Sequence, residues 1–157
     1  VFNEFVSQCF NGQQPGEAGG QDVNGDGECD QQDLAGATLP NAPAWSVSLT
    51  GRYEFPLSDD GSQAYLQVHS RWQDDVQFTS AQHPLTIQDA YSVSDIRAGW
   101  RSATGRYEVG AYVNNVFAQH YVVAFFPLSV DGNRNDVAHT VPVGADRVMG
   151  LSFAYQW

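Results

Sequence analysis

The sequence predicts an all-β chain, an antiparallel meander forming one arc of a transmembrane β-barrel, and three observations carry that expectation. The closing segment alternates strictly, with Met149, Leu151, Phe153, Tyr155 and Trp157 on one face and Gly150, Ser152, Ala154 and Gln156 on the other. A strand that is large and aromatic on one side and small or polar on the other suits a wall between lipid and a polar interior. The segment Trp45–Phe55 repeats the pattern, with Trp45, Val47, Leu49, Tyr53 and Phe55 opposed to Ser46, Ser48, Thr50, Arg52 and Glu54. Its aromatics stand at both ends and its aliphatics in the middle, which is the girdle arrangement of a strand crossing a bilayer. The third observation is that the connections alternate in length: 7–43, 74–89 and 129–146 are long, whereas 58–62 and 103–106 are short. Outer-membrane barrels have short periplasmic turns and long extracellular loops, so the order places Trp157 on the periplasmic side.

The elements follow in order. Val1–Val6 reads as a strand already under way. After Trp45–Phe55, the segment Ala64–Trp72 resumes the alternation, with Ala64, Leu66, Val68 and Trp72 opposed to Tyr65, Gln67, His69 and Arg71. Tyr91–Trp100 and Tyr107–Val113 form the next pair, joined by a tight turn in which Gly105 supplies a positive φ. Residues 116–128 either extend that strand or begin a loop, and the run Tyr121–Phe126 is apolar on both faces. About six strands result, fewer than the roughly 8 of the smallest bacterial barrels. An open sheet leaves backbone groups unpaired in lipid, so the expectation is a single segment over 1–157 that belongs to a larger barrel.

Composition bounds the function. The chain has 157 residues and a formal charge of −11, from 18 acids against 7 bases, with no lysine. Phosphate backbones are held by clustered Lys and Arg, so nucleic acid is excluded as a partner. No apolar run reaches the roughly 18 to 20 residues of a spanning helix, so any membrane crossing is made by strands. No serine sits in a Gly-x-Ser-x-Gly elbow, and His69, His83, His120 and His139 are too scattered for a metal-ligand motif. These features point away from an enzyme.

Two cysteines, Cys9 and Cys29, flank a Gly-rich segment. If joined they close a loop of about 20 residues, a crosslink worth roughly 3 kcal/mol by chain entropy. Such pairing indicates an oxidising compartment, with two free thiols as the alternative. Running across its end, Asp22, Asn24, Asp26, Asp30 and Asp33 fall at positions 1, 3, 5, 9 and 12 of a calcium loop, with Gly27 at the turn position and the Glu28 carbonyl at position 7. Ca²⁺ is the expected ion, against the alternative of a solvated acidic loop. Asp33 stands where a bidentate Glu is usual, and no helix pattern flanks the loop.

Four stretches bear a family likeness: Asp33–Trp45 with its Leu39-Pro40-Asn41-Ala42-Pro43 lead into a strand, Asp89-Ala90-Tyr91, Tyr107–Val116, and the closing Gly150–Trp157. Through these the chain resembles the C-terminal part of TonB-dependent receptors, outer-membrane barrels that import scarce nutrients. The resemblance implies a barrel of roughly 22 strands, a plug domain outside this chain and contact with the TonB complex through the missing N-terminal part. It also implies a location in the bacterial outer membrane and presentation of Phe153, Tyr155 and Trp157 to the barrel-assembly machinery. The family often has an acidic residue after its Asn-Asn element, whereas Ala118-Gln119-His120-Tyr121 stands here. Trp45, Tyr53 and Phe55 are the expected girdle residues of the second strand. Trp72, Tyr121, Phe125, Phe126 and His83-Pro84 are candidates for a rim surface that meets a small-molecule or glycan ligand. The alternative reading is a secreted, calcium-binding β-sandwich for adhesion or carbohydrate binding, which differs in burying its Trp and Tyr side chains.

Overall fold

The structure, a computed structural model, describes residues 5–10, 12–128 and 136–157. In chain order its strands are β1 (Val6–Ser7), β2 (Gly20–Gln21), β3 (Gln31–Asp33), β4 (Ser46–Pro56), β5 (Gln63–Gln73), β6 (Val76–Gln77), β7 (Ile87–Gln88), β8 (Tyr91–Arg101), β9 (Tyr107–Asn114), β10 (Ala124–Leu128), β11 (Asp136–Thr140) and β12 (Val148–Tyr155). Every ladder is antiparallel, and the only helical pieces among the described residues are the 3₁₀ turns Pro84–Thr86 and Val143–Ala145. The chain is all-β. Read from sequence as a single segment, it divides into two compact units, one of 1–44, 74–90 and 122–141 and one of 45–73, 91–121 and 142–157.

The second unit is a five-stranded sheet in the order β12-β9-β8-β5-β4. Within it each strand pairs with the next one along the chain, so the meander is present. The ladders run unbroken over the full length of β4 and β5, from Ser46 opposite Gln73 to Pro56 opposite Gln63. Alternating β-branched, aromatic and polar residues explain why these stretches settle as long half-covered strands. The four expected segments match β4, β5, β8 and β9 to within a residue at each end, and β12 stops at Tyr155 rather than Trp157. Among the described residues the sheet does not close, because β4 and β12 each lack a second neighbour.

Two tight turns join its strands. Leu57 N–H donates to Ser62 O at 3.0 Å across the first, where the Asp60 carboxylate also takes the Ser62 amide at 2.8 Å. That amide, then the Ser62 hydroxyl, hold the Asp60 carboxyl below its ordinary value. In the second turn Ser102 N–H donates to Tyr107 O at 2.9 Å, and Gly105 takes φ 69° as its sequence position requires.

The first unit is built from strands of two to five residues. The stretch 7–43, expected as one long loop, holds a small sheet in the order β1-β3-β2. Val6–Ser7 therefore pairs with β3 and not with the long strands, and Val1–Glu4 lie outside the described residues. Of the segment 116–128, residues 124–128 form β10 against β11, so the chain after β9 loops out before pairing again. Residues 129–135 of the third long connection lie outside the described set.

Polar side chains fill the interior of this unit. Gln32 is fully buried, and its amide donates to Gln8 O at 2.8 Å and Ala81 O at 3.0 Å. Gln13 is buried beside it and donates to Glu17 O at 2.8 Å. Cys9 and Cys29 form a disulfide. With Leu34, Val76 and Phe10 as its buried apolar residues, this unit relies on hydrogen bonds and the crosslink.

Candidate functional site

The long sheet turns its apolar face outward. Trp45 is 70% exposed, Leu49 72% and Leu151 84%, while Met149, Tyr53 and Phe153 are exposed to a similar extent. On the other face the polar side chains of β5, namely Tyr65, Gln67 and His69, are half-buried while Leu66, Val68 and Trp72 on the apolar side are exposed. A strand in water does the reverse, hiding its apolar side and wetting its polar one.

Pleat and register assign every strand residue to a face. The apolar face of the five strands carries no charged residue. Arg52, Glu54, Arg71, Asp95, Arg97, Arg101 and Glu108 all fall on the opposite one. All four tryptophans stand on the apolar face or its continuation past β4 and β12, and they divide between its ends. Trp72, beside Trp45, is opposite Val47, and Trp100 is opposite Ala64, eight residues along β5 from Trp72. At about 3.3 Å per residue this places the two belts roughly 26 Å apart before any tilt, against an apolar band of about 25 Å in outer-membrane barrels. Tyr107 packs on Tyr155 with ring centroids 5.2 Å apart, and Tyr53 stacks on Phe55 at 5.7 Å, both toward the Trp100 end. Between the belts lie Leu49, Val68, Leu66, Ile96, Ala111 and Leu151, aliphatic or small throughout.

The polar face is organised by two tyrosines that lie over glycines. A side chain at Gly99 would meet the Tyr65 ring at 2.6 Å, and one at Gly150 would collide with the Tyr112 ring. Each ring carries an arginine on its open side. The Arg52 guanidinium carbon is 4.1 Å from the Tyr65 centroid and that of Arg97 is 5.7 Å from the Tyr112 centroid. Arg52 also pairs with Glu54 at 2.7 Å and Arg101 with Glu108 at 3.0 Å. Farther along, Thr50 Oγ1 and His69 Nδ1 lie 2.8 Å apart, and Asp95 faces His69 across the ladder.

One end of this face is covered by the segments that follow β9 and precede β12. Asn115 organises them, at 1% exposure. Its amide donates to Gln119 O at 3.0 Å and Ala145 O at 2.7 Å, its carbonyl accepts from Gln119 N–H at 2.8 Å, and its own N–H donates to Asp95 at 2.8 Å. Its φ of 50° is one Asn tolerates better than most residues. Tyr121 is consequently buried, stacked on Tyr91 at 4.5 Å, with Arg71 donating to its hydroxyl at 2.8 Å. The expectation that Tyr121 belongs to an exposed rim surface is thus corrected: it packs with Val93 and Ala145. Phe125 packs against Phe78 and His139 in the other unit, His83 lies against Phe10 there, and the ring of Phe126 lies outside the described residues. Sequence reasoning passed over Asn115, Tyr65, Tyr112 and Arg97. The glycines at polar-face positions 99, 110 and 150, where alternation calls for side chains, were the available signal.

The calcium-loop residues are all exposed except Asp22, which is partly covered. Gly25 N–H donates to Asp22 at 2.6 Å and Gly27 N–H at 2.9 Å. The Gly27 amide, then that of Gly25, hold the Asp22 carboxyl below its ordinary value. Asp26 accepts from Glu28 N–H at 2.8 Å, Asp30 from Val23 N–H at 2.8 Å, and Asp33, on β3, from Ala35 N–H at 2.9 Å. The donor set is all oxygen and suits Ca²⁺ by type. Its carboxylates are turned onto backbone amides, and no three acidic, His or Cys groups among the described residues converge on a common point. The expected ligand set is therefore not assembled as a cage here.

The fold and faces define an antiparallel β-protein with an inverted sheet. No protein-family model, curated protein or solved structure matches the chain.

Proposed function

We propose that this chain is a C-terminal arc of a TonB-dependent outer-membrane receptor, a transport protein that takes up a scarce nutrient and performs no catalysis of its own. The single observation that supports this most is the inverted sheet: strands of 8 to 11 residues, charge-free and mainly apolar on the exposed side, with Trp belts at both ends. A spanning strand needs about 9 to 11 residues. Burying Leu49, Leu151 and their neighbours in acyl chains removes the cost of leaving them in water, at roughly 25 cal/mol per Å². The free edges of β4 and β12 then belong to neighbouring strands of the barrel, since a bilayer tolerates no open edge. The disulfide agrees with an oxidising compartment, and the aromatic C-terminal strand suits handling by the barrel-assembly machinery. A secreted sandwich would cover its aromatic face, which counts against the alternative.

The test is quenching of tryptophan fluorescence by brominated lipids in outer-membrane vesicles or reconstituted bilayers. Because all four tryptophans lie toward the apolar face, strong depth-dependent quenching is expected, with maxima at two depths. A protein that stays monodisperse without detergent and shows no quenching would end the membrane reading.

A further inference from the structure

The arginines of the polar face fall into two classes. Arg52 and Arg101 are neutralised by Glu54 and Glu108. Arg71, toward the long connections, and Arg97, level with Arg52 in the middle of the sheet, have no carboxylate within ion-pair distance among the described residues, yet neither is loose. Arg97 is set over the Tyr112 ring, whose other side rests on Gly150. Arg71 is set by its bond to the buried Tyr121 hydroxyl. A guanidinium has five donors, and these two retain most of theirs on exposed side chains. Gln67 and His69 lie with Asp95 and Arg97 around one depression, adding further hydrogen-bonding groups. Asp95, the one acid there, is engaged by the Asn115 amide.

Positioned guanidinium groups without internal acceptors are receptors for planar oxyanions, which they hold bidentately. Register separates the two: Arg97 is opposite Gln67, four residues along β5 from Arg71, roughly 13 Å at the backbone. The long side chains shorten that span, and a ligand with two anionic groups on a short spacer bridges it where a single small anion does not. We propose that the stretch of the polar face between Arg97 and Arg71 binds a small polycarboxylate, with Arg97 and Arg71 each taking one carboxylate and Gln67 and His69 hydrogen-bonding the spacer. This deepens the transport reading by naming a substrate class for the barrel lumen, although the site itself needs only the five-stranded sheet and the segment that carries Tyr121.

The experiment is calorimetric titration of the full-length, folded protein in micelles with succinate, tricarballylate, acetate and inorganic phosphate. Succinate or tricarballylate should bind at least about tenfold more tightly than acetate or phosphate. Arg97→Gln should cost about tenfold or more, while Arg101→Gln, which alters a neutralised arginine on the same face, should leave affinity within about twofold. Both variants should keep the Trp emission of the parent, since both side chains are exposed or nearly so. Phosphate binding as tightly as the polycarboxylates, equal losses in the two variants, or no heat with any of the four would each overturn the proposal. Lipid quenching is read independently, so a failed titration beside intact quenching removes the substrate class alone, and intact titration without quenching removes the membrane reading.

Discussion

The two units differ in where their charge lies and in how they are held. The segments of the first carry 12 of the 18 acids and one arginine; those of the second carry six acids and six arginines, so the whole net charge of −11 belongs to the first. The first unit has strands of two to five residues, buried glutamines and a disulfide, while the second has strands of eight to eleven and no buried crosslink. Short strands yield few ladder bonds and no continuous apolar face, so covalent closure and polar networks take over the work of a core. Long strands with one charge-free face need no core if lipid provides one. The contrast is between a unit closed by hydrogen bonds and a crosslink and a sheet that leaves its apolar face exposed, the face that the proposed function covers with lipid.

The largest expected effect tests the faces of the sheet. Met149→Arg places a charge midway between the Trp belts, in the row of Val68, and should cost up to about 4 kcal/mol in bilayer-reconstituted protein. Gln67→Arg, on the polar face, should cost less than about 1 kcal/mol. Urea unfolding followed by tryptophan emission checks both. Equal costs would break the distinction between the faces.

Next comes the crosslink. Cys9→Ala with Cys29→Ala should loosen the first unit by about 3 kcal/mol, read as faster amide hydrogen exchange in β1, β2 and β3. All four tryptophans belong to the second unit, so their unfolding midpoint should stay in place. A midpoint that moves by a comparable amount would show that the units unfold together. A smaller step sharpens the second unit alone: Asn115→Ala should cost about 2 kcal/mol, because the partners of its side chain lose their bonds in a buried place. The tryptophan midpoint reports it, and Asn24→Ala in the acidic loop is the near-neutral companion.

What was legible in the sequence follows the same division. The long strands were legible because period-two alternation over eight or more residues has no competing explanation, and Ser46–Pro56 and Gln63–Gln73 lie within one residue of their expected limits. Strands such as Gly20–Gln21 have no period to read, and their pairing is decided by partners ten or more residues away. The Cys9–Cys29 pairing was legible as one of two states, and the bond exists. The calcium spacing was equally plain, but spacing fixes only the order of oxygens along the chain. Whether carboxylates converge on an ion or cap the amides of Gly25 and Gly27 is set by backbone torsions that spacing does not encode. Asn115 was hidden for a related reason, since the carbonyl it satisfies lies thirty residues on, at Ala145.

The smallest effect compares one carboxylate from each unit. Asp22 and Asp60 both lie below their ordinary 3.8 because backbone amides donate to them. A carboxyl whose folded value is depressed contributes stability that is present above its unfolded value and lost as pH falls through the folded one. Both turns should therefore hold at neutral pH and loosen only below about pH 4. Both carboxyls lie at the surface and water replaces much of what they lose, so the effect is local, seen as faster exchange of the Gly27 and Ser62 amides. Asp60→Asn keeps an oxygen acceptor and removes the titration, so Ser62 should keep its protection in acid while Gly27 still loses its own. Millimolar Ca²⁺ divides the two further: if the acidic loop closes on the ion, Gly27 protection should persist to lower pH while Ser62 is unchanged. If neither amide responds, the Asp22 carboxylate serves only the turn it caps.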